Sequence, residues 1–176
     1  MLLKNGWQLA KLNLKLHQNY NLNKLSVKKG QILQHKGDLN TKVFVVESGL
    51  LRSYTIDEKG KEHIFMFAPE GWIVADIQAA EVPCDLYIDA LEDSEVMVGE
   101  KNLEGEIDGQ KFINRLAALQ KRVIMLMSAS AIERYEHFVK TYPEIIQRVP
   151  QKMIASYLGI TPEALSKVKG QRIRKS

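Results

Sequence analysis

Hydrophobic residues follow three successive patterns along this chain. Leucines recur at helical spacing in residues 1–20, which predicts an amphipathic helix. Between about Leu25 and Met97, short apolar runs alternate with glycines and acidic turns, which predicts antiparallel strands packed as a sandwich, barrel or jelly roll. From Phe112 onward the helical spacing returns. We therefore expect a strand-rich region between helices.

Turn residues divide the strand-rich region into short segments. Asp57–Gly60 has the composition of a hairpin turn, and Pro69–Gly71 marks a second turn. The predicted strands are residues 43–46, 50–56, 61–67, 72–74, 86–91 and 95–98. Because no helical pattern separates these segments, we expect the strands to pair in antiparallel fashion.

Residues 112–131 predict a long helix that carries a heptad repeat. Its positions, spaced alternately by four and three, are Phe112, Leu116, Leu119, Val123, Leu126 and Ser130. A neighbouring stripe contains Ile113, Ala117, Ile124, Met127 and Ala131. One stripe can cover the strand domain while the other faces a second subunit, and we take Phe112 to Leu126 of the heptad as the dimer interface. The alternative is one wide face buried within a single chain.

Residues 132–142 continue the helical pattern, which the Tyr142–Pro143 pair ends. Gln151–Val168 then predicts two short amphipathic helices joined by a three-residue turn. Ala155 is small enough for a close helix crossing, and Gly159 suits a turn of positive φ. The predicted wedge between the helices consists of Ile154, Leu158, Ile160, Leu165 and Val168.

The start of the second short helix has the expected capping residues. Thr161 is a good N-cap, Pro162 suits the first helical position, and Glu163 adds a favourable charge near the N-terminus. These features predict a helix-turn-helix. An ordinary helical hairpin that only buries a core is the alternative interpretation.

The distribution of charge favours a DNA-binding helix-turn-helix over that alternative. The chain has 176 residues and a net charge of +4. Residues 1–40 have 7 basic and 1 acidic residues, residues 41–110 have 5 and 16, and residues 111–176 have 13 and 4. A basic surface beside a helix that can enter the major groove is typical of DNA-binding proteins, whereas the acidic middle is a poor surface for DNA.

The composition indicates a folded protein and disfavours disulfide-bonded, cysteine-metal, membrane and secreted classes. An apolar content of 45% supports a folded core of one or two domains. The single cysteine excludes an intramolecular disulfide and an all-cysteine metal site. No apolar run approaches the ~20 residues of a membrane span, and the N-terminus lacks a signal-peptide core, so we expect a cytoplasmic protein without a membrane partner.

The order of these elements resembles the Crp/Fnr superfamily of bacterial transcription regulators across nearly the whole chain. The segments VFVVESGLLRSY (residues 43–54), GKE (60–62) and APEGWIV (68–74) resemble its cyclic-nucleotide-binding β-roll. DALEDSEV (89–96) is similar to the strand after that family's phosphate-binding loop. The resemblance implies an α+β fold with three parts: a double-stranded β-helix (jelly-roll) sensor domain in residues 1–106, a long dimerisation helix in 107–133 and a helix-turn-helix domain in 134–176.

The predicted ligand pocket departs from that family's pattern. Members that bind cyclic AMP have a Gly-Glu pair for the ribose and an Arg-Ser or Arg-Thr pair for the phosphate, where this chain has Ala75–Asp76 and Cys84–Asp85. A cyclic phosphate needs a cation and hydrogen-bond donors, and Asp85 would repel it. We therefore expect no cofactor and no cyclic nucleotide; either another small-molecule effector binds or the pocket is empty. The candidate effector-pocket residues are Trp72, Ala75, Asp76, Cys84 and Asp85.

The predicted recognition helix also differs from the family's Ser-Arg-Glu-Thr-Val-x-Arg pattern, since this chain has TPEALSK in residues 161–167. By resemblance, Glu163 matches the acid that accepts a hydrogen bond from cytosine. Pro162 and Lys167 replace the two arginines, which predicts a different operator. The candidate DNA contacts are Gln151, Thr161, Glu163, Ser166, Lys167, Lys169, Arg172 and Arg174.

Other chemistry has weaker support in the sequence. Cys84 could act as a redox sensor, but a small, partly buried thiol is the simpler interpretation because no neighbouring Lys, Arg or His would activate it. Trp72, Phe67 and Tyr87 could line an apolar ligand cavity, but packing in the core of the barrel is the better explanation. The four histidines lack metal-ligand spacing, which disfavours a cupin-like metalloenzyme, and we expect no catalysis.

We therefore expect a dimeric, sequence-specific regulator that binds double-stranded DNA, with RNA polymerase as a further candidate partner. Two recognition helices would meet successive major grooves about 34 Å apart. The alternative is an effector-sensing β-roll whose degenerate helix-turn-helix binds a protein.

Overall fold

The computed structural model describes residues 22–101 and 109–173, which form two compact units. We call them the β unit (residues 22–101) and the helical unit (residues 109–173). The helix predicted for residues 1–20 and the basic residue Arg174 lie outside the described residues, as does the side chain of Phe112. The described residues confirm the predicted α+β class, because a region of antiparallel strands is followed by helices.

Eight strands form the β unit. They are β1 (Asn23–Val27), β2 (Ile32–Gln34), β3 (Lys42–Ser48), β4 (Leu51–Ile56), β5 (Glu62–Ala68), β6 (Ile73–Val74), β7 (Tyr87–Ala90) and β8 (Ser94–Glu100). One sheet has the order β1-β8-β3-β6 and the other β2-β7-β4-β5. All of these pairings are antiparallel, as predicted. Strands β1 and β2 precede the first segment predicted as a strand.

The core of the β unit follows the period-two pattern of its strands. Phe44 and Val46 of β3 are buried and alternate with more exposed residues, and Ile64 and Met66 of β5 lie on either side of the exposed Phe65. Gly49, between β3 and β4, has φ +91°, and a Cβ there would lie 2.2 Å from Ser94 Oγ. Only glycine therefore fits where β3 turns beside β8.

Five helices form the helical unit. They are α1 (Gly109–Ser128), α2 (Ala131–Thr141), α3 (Ile145–Arg148), α4 (Gln151–Leu158) and α5 (Pro162–Ile173). The aromatic rings of Phe138, Tyr142 and Tyr157 pack together, with centroids 5.3–5.6 Å apart. The predicted end of a helix before Pro143 is confirmed, because α2 ends at Thr141 and Tyr142 is its C-cap.

The helical region is interrupted at Ala129–Ser130, where the sequence pattern predicted a continuous helix. Ser130 is the N-cap of α2: its hydroxyl accepts the backbone N–H of Glu133, and the Glu133 carboxylate accepts the N–H of Ser130. Ser130 fits the spacing of the heptad, but it begins a new helix because this capping box competes with helix continuation.

Candidate functional site

The turn between α4 and α5 has the geometry that the sequence predicts. Gly159 has φ +65° and ψ +33°, and its N–H donates to the carbonyls at the end of α4. The N–H of Ile160 donates to the carbonyl of Ala155 at 3.0 Å. Ala155 and Leu165 are fully buried, so the two helices cross closely with Leu165 as the wedge. The left-handed residue ends α4 abruptly and allows α5 to start in a new direction.

The N-terminus of α5 is capped and carries a negative charge. The Thr161 hydroxyl accepts the backbone N–H of Ala164 at 3.2 Å, as expected of an N-cap. Hydrogen bonds from its own backbone N–H and from the Thr161 hydroxyl lower the pKa of Glu163. The Glu163 carboxylate is therefore ionised at neutral pH, is exposed to solvent and can accept hydrogen bonds from a partner.

Helix α5 has one buried side and one exposed side. Leu165 and Val168 are buried, whereas Glu163, Ser166 and Lys167 are exposed at positions that share a helical face. We call Glu163, Ser166 and Lys167 the reading face. Three of the predicted DNA contacts are thus brought together on one surface that the helical unit leaves uncovered.

The other predicted DNA contacts lie elsewhere. Thr161 is exposed in the turn before α5, Gln151 is exposed at the start of α4, and Lys169 is half-buried. The guanidinium of Arg172 lies 5.9 Å from the ring centroid of Tyr135. Arg172 follows Val168 by four positions, on the side of α5 that faces α2, so it is not grouped with the reading face.

Asp76 is the most constrained of the candidate effector-pocket residues. Its side chain is buried. Its carboxylate accepts three backbone N–H groups: those of Gln78 at 2.8 Å, Asp85 at 3.0 Å and Leu86 at 3.1 Å. The loop of residues 76–86 is therefore closed on an anion that belongs to the chain, and those N–H groups are already used.

The rest of that loop offers little to an anionic ligand. Asp85 is exposed and accepts a hydrogen bond from the Gln78 side chain at 2.8 Å. Residues 74–86 contain no lysine or arginine, and the ammonium of Lys101 donates to the carbonyl of Gln78 at 2.9 Å. A cyclic phosphate at this loop would face carboxylates.

Cys84 is held in the same loop as a structural thiol. It is buried, and its Sγ donates to the carbonyl of His35 at 3.0 Å. Its N–H and carbonyl bond to the backbone of Asp38 and Gly37. A buried thiol that donates a hydrogen bond to a carbonyl is poorly accessible to oxidants, which favours the simple interpretation over redox sensing.

The three aromatic residues predicted near the pocket have different surroundings in the β unit. Phe67 is fully buried, and Tyr87 stacks on Tyr54 with centroids 5.2 Å apart. Trp72 lies in the turn before β6, where its carbonyl accepts the N–H of Val46. Core packing therefore explains Phe67 and Tyr87 best.

A shallow cavity of about 210 Å³ lies at the connection from β2 to β3. Its lining residues are Leu33, Gln34, Asp38, Leu39, Asn40, Thr41 and Lys42. None of them belongs to the candidate effector pocket. Sequence reasoning missed this depression because it is formed by a connecting loop with no recognisable motif.

Sequence reasoning also missed a buried ion cluster on the second sheet. Arg52 of β4 donates through Nε and Nη2 to the two Asp89 oxygens at 2.8 and 3.0 Å, and through Nη1 to Glu62 at 2.5 Å. Burial opposes the charged guanidinium, but the hydrogen bonds to Asp89 and Glu62 outweigh it and raise the pKa of Arg52. Its guanidinium also lies 4.0 Å from the ring centroid of Tyr54.

Helix α1 presents an exposed apolar face. Leu116 and Val123 of the predicted heptad are 50% and 55% exposed. Residues of the neighbouring stripe join them on that face: Ile113, Ile124 and Met127. Leu119 and Leu126 are half-buried, so the exposed apolar face combines members of both predicted stripes.

Two kinds of site are not found in the described residues. Between residues 22 and 101, and between 109 and 173, histidine, cysteine and carboxylate side chains do not cluster as metal ligands would. In the same ranges the helices are too short or too polar to cross a bilayer.

Comparison with known proteins finds a family match within the strand region. Residues 24–102 match the model of the cyclic nucleotide-binding domain. The chain is 26% identical to electron transport regulator A of Shewanella oneidensis, covering 87% of this chain and 69% of that protein. It is 24% identical to an anaerobic regulatory protein of Aggregatibacter actinomycetemcomitans, covering 84% of this chain and 66% of that protein. The chain thus spans about two thirds of the length of these relatives.

Solved structures show the same fold. FixK2 from Bradyrhizobium japonicum superposes with a TM-score of 0.72 at 20% identity, covering 88% of this chain and 85% of that chain. The c-di-GMP-responsive regulator CLP of Xanthomonas campestris gives a TM-score of 0.66 at 12% identity, covering 88% and 87%. The matched domain, the regulatory relatives and the shared fold agree with the order of elements along the chain. Over most of its length the chain is similar to transcription regulators of the Crp/Fnr superfamily.

Proposed function

We propose that this protein is a cytoplasmic, dimeric transcription regulator that reads DNA with α5. The exposed reading face on a helix whose opposite side is buried is the observation that carries the proposal. In this assignment α4 and α5 form the helix-turn-helix, and α5 enters the major groove. The β unit is a jelly-roll sensor. RNA polymerase is the partner through which a bound dimer would change transcription.

The residues of the reading face suit contacts with base edges and phosphates. Glu163 can accept from the amino group of cytosine, and Lys167 can donate to guanine or to a phosphate. Ser166 can serve either. Lys152 of α4 and Lys167 of α5 are both exposed, so the α4–α5 pair offers basic side chains to a nucleic acid in addition to the acidic Glu163. This supports direct readout combined with electrostatic attraction.

A second copy of the chain is the partner we assign to the exposed face of α1. From Ile113 to Met127 this face extends over roughly 21 Å of helix, enough for two full heptads. Large aliphatic side chains that are half or more exposed on one face mark an interaction surface. Pairing α1 with α1 would place two reading faces on a near-palindromic site with half-sites about 34 Å apart.

The sensor we propose does not bind cyclic AMP. Asp76 supports this, because it occupies the N–H groups of Asp85 and Leu86 that an anion would need. The effector is a molecule of different charge, or the pocket remains empty.

Selection of bound duplexes from a random pool tests the proposal. We expect the wild-type chain to enrich one near-palindromic motif, and Glu163→Ala to lose preference at one base pair per half-site. Glu136→Ala, an exposed acid on α2, is the matched control and should leave the motif intact. Failure of the wild-type chain to enrich any motif would contradict the proposal and favour a protein-binding role for the α4–α5 pair.

A further inference from the structure

One side chain joins the C-terminal ends of two helices in the helical unit. Arg134, in the first turn of α2, donates through Nε to the carbonyl of Ala129 at 3.0 Å and through Nη2 to that of Leu126 at 2.8 Å. Its Nη1 donates to the carbonyl of Leu158 at 3.1 Å. Leu126 lies in the last turn of α1, Ala129 follows α1 directly, and Leu158 is the last residue of α4. A single guanidinium therefore holds the end of α1 against the end of α4.

The three carbonyls make this contact strong and directional. Carbonyls in the last turn of a helix have no partner within the helix, and they carry the negative end of its dipole. Arg134 satisfies such groups from two helices at once. The fork of a guanidinium is planar and rigid, so it fixes direction as well as distance, which a lysine ammonium cannot do.

Neighbouring contacts join α1 to α4 at the same place. A Cβ added at Gly159 would lie 3.6 Å from Arg134 Nη1 and 3.8 Å from Leu126 Cδ2, so both side chains reach the turn that leads into α5. One helical turn earlier in α1, the guanidinium of Arg122 lies 4.1 Å from the ring centroid of Tyr157 on α4. We call Leu126, Arg134, Leu158 and Gly159 the α1–α4 joint.

The α1–α4 joint lies between the exposed apolar face and the reading face, whose relative orientation matters in a DNA-binding dimer. The exposed apolar face belongs to α1, and the reading face belongs to α5, which starts at Pro162 after the three residues that follow Leu158. In a dimer formed through α1, the angle at the joint determines how far apart and at what angle the two reading faces lie. A small rotation there moves each reading face along the groove.

We infer that Arg134 is a positioning residue that sets the half-site spacing this regulator accepts. The inference rests on the proposed function, since it needs a dimer through α1 and a reader on α5. Arg134 contacts the main chain on both sides of the joint and lies outside the reading face. It acts on DNA choice through the angle between α1 and α5.

A spacing series tests this assignment. The duplexes contain two copies of the selected half-site separated by different numbers of base pairs, and a single half-site serves as reference. The proteins are the wild-type chain, Arg134→Gln, Arg134→Lys and Lys140→Gln. Lys140 is an exposed cation on the same helix, so its replacement is matched in charge and location. Thermal unfolding and sedimentation establish that each variant is folded and dimeric.

We expect wild type and Lys140→Gln to bind one spacing best. Arg134→Gln should lose about tenfold in affinity at that spacing, the range expected for loss of a coupling contact, and should bind neighbouring spacings almost equally well. Its affinity for the single half-site should change less than about twofold, because the reading face is intact. Arg134→Lys should fall between wild type and Arg134→Gln.

Two results would overturn the assignment. If a folded Arg134→Gln variant has the same spacing profile as wild type, Arg134 does not set the spacing. If Arg134→Gln does not fold, a wild-type spacing profile for the folded Arg134→Lys variant leads to the same conclusion. An equal loss on the single half-site and on the paired site shows a merely structural role. If the wild-type chain binds no duplex at all, the proposed function fails together with the role of Arg134. If the wild-type chain binds DNA and only the expected spacing effect of Arg134 is missing, the role of Arg134 fails alone.

Discussion

Both oxygens of the Asp89 carboxylate accept hydrogen bonds from the guanidinium of Arg52, at 2.8 and 3.0 Å. The two residues face each other across β4 and β7, and their side chains are 7% and 10% exposed. Because the pair is removed from water, replacing either partner would leave a buried charge without its counter-ion and would lower the free energy of unfolding.

Asp89→Ala should therefore destabilise the β unit. The change leaves the Arg52 charge buried with only Glu62 beside it, and a loss of about 3 kcal/mol in the free energy of unfolding is expected for a broken buried pair. Urea denaturation measures it. Glu62→Gln is the control, because the Glu62 side chain is 43% exposed and its contribution should stay below about 1 kcal/mol. Equal losses for the two variants would show that burial of the pair is not what matters.

Asp76→Ala should destabilise the loop that closes the predicted effector pocket. It removes the acceptor of three backbone N–H groups, and hydrogen bonds to a buried charge suggest a loss of about 3 kcal/mol. Asp85→Ala in the same loop removes an exposed carboxylate with one side-chain hydrogen bond, so its effect should be much smaller. Chemical denaturation compares the two variants.

The same loop predicts that cyclic AMP does not bind. Titration calorimetry of the wild-type chain with millimolar cyclic AMP should give no binding heat, because Asp76 already fills the N–H donors and Asp85 adds repulsion. Stoichiometric binding would mean that the anion site lies elsewhere in the β unit.

Val123→Glu should break the dimer without unfolding the subunit. Val123 is 55% exposed, so a monomer tolerates the change, whereas a symmetric interface would bury two new like charges. We expect the dimer dissociation constant to rise by about 100-fold or more. Sedimentation velocity measures it, with Asn114→Glu, an exposed position at one side of the apolar face, as the charge-matched control. A Val123→Glu chain that remains dimeric would place the interface on another surface.

His137 gives a prediction about pH. Partial desolvation, together with the nearby cations Arg122 and Lys140, lowers its pKa below the ordinary value of 6.5. The unfolded chain therefore binds the proton more readily, so His137 contributes a loss of stability as the pH falls below about 6.5. An NMR titration of the imidazole should give a midpoint below the ordinary value, and Lys140→Gln should raise it. An unchanged midpoint in that variant would exclude a role for Lys140.

Local signals made the α4–α5 pair predictable from sequence. A glycine at the turn, a threonine cap and a buried leucine wedge each depend on a few neighbouring residues, and Gly159, Thr161 and Leu165 take the predicted positions. The order of strands and turns was predictable for the same reason, since hairpin turns and period-two burial are local.

Long-range contacts were beyond sequence reasoning. The partnership of Arg52 with Asp89 joins residues 37 positions apart, and it needs the register of β4 against β7. Asp76 could be recognised as a departure from a ligand-binding pattern, but its bonds to Asp85 and Leu86 depend on how the loop folds back. Ser130 was assigned to the heptad of one continuous helix because its position fits the heptad spacing, but it is the N-cap of α2.

The most direct test of the central claim is the salt dependence of duplex binding through the reading face. Anisotropy titrations of wild type, Lys167→Ala and Lys59→Ala, an exposed lysine of the β unit, should be run on the selected duplex across a range of salt concentrations. We predict that wild type and Lys59→Ala lose affinity steeply with salt. Lys167→Ala should bind more weakly, with a slope of log affinity against log salt that is shallower by about one if the lysine contacts a phosphate, or unchanged if it reads a base. Binding of Lys167→Ala that equals wild type at every salt concentration would contradict the assignment of α5 as the DNA reader.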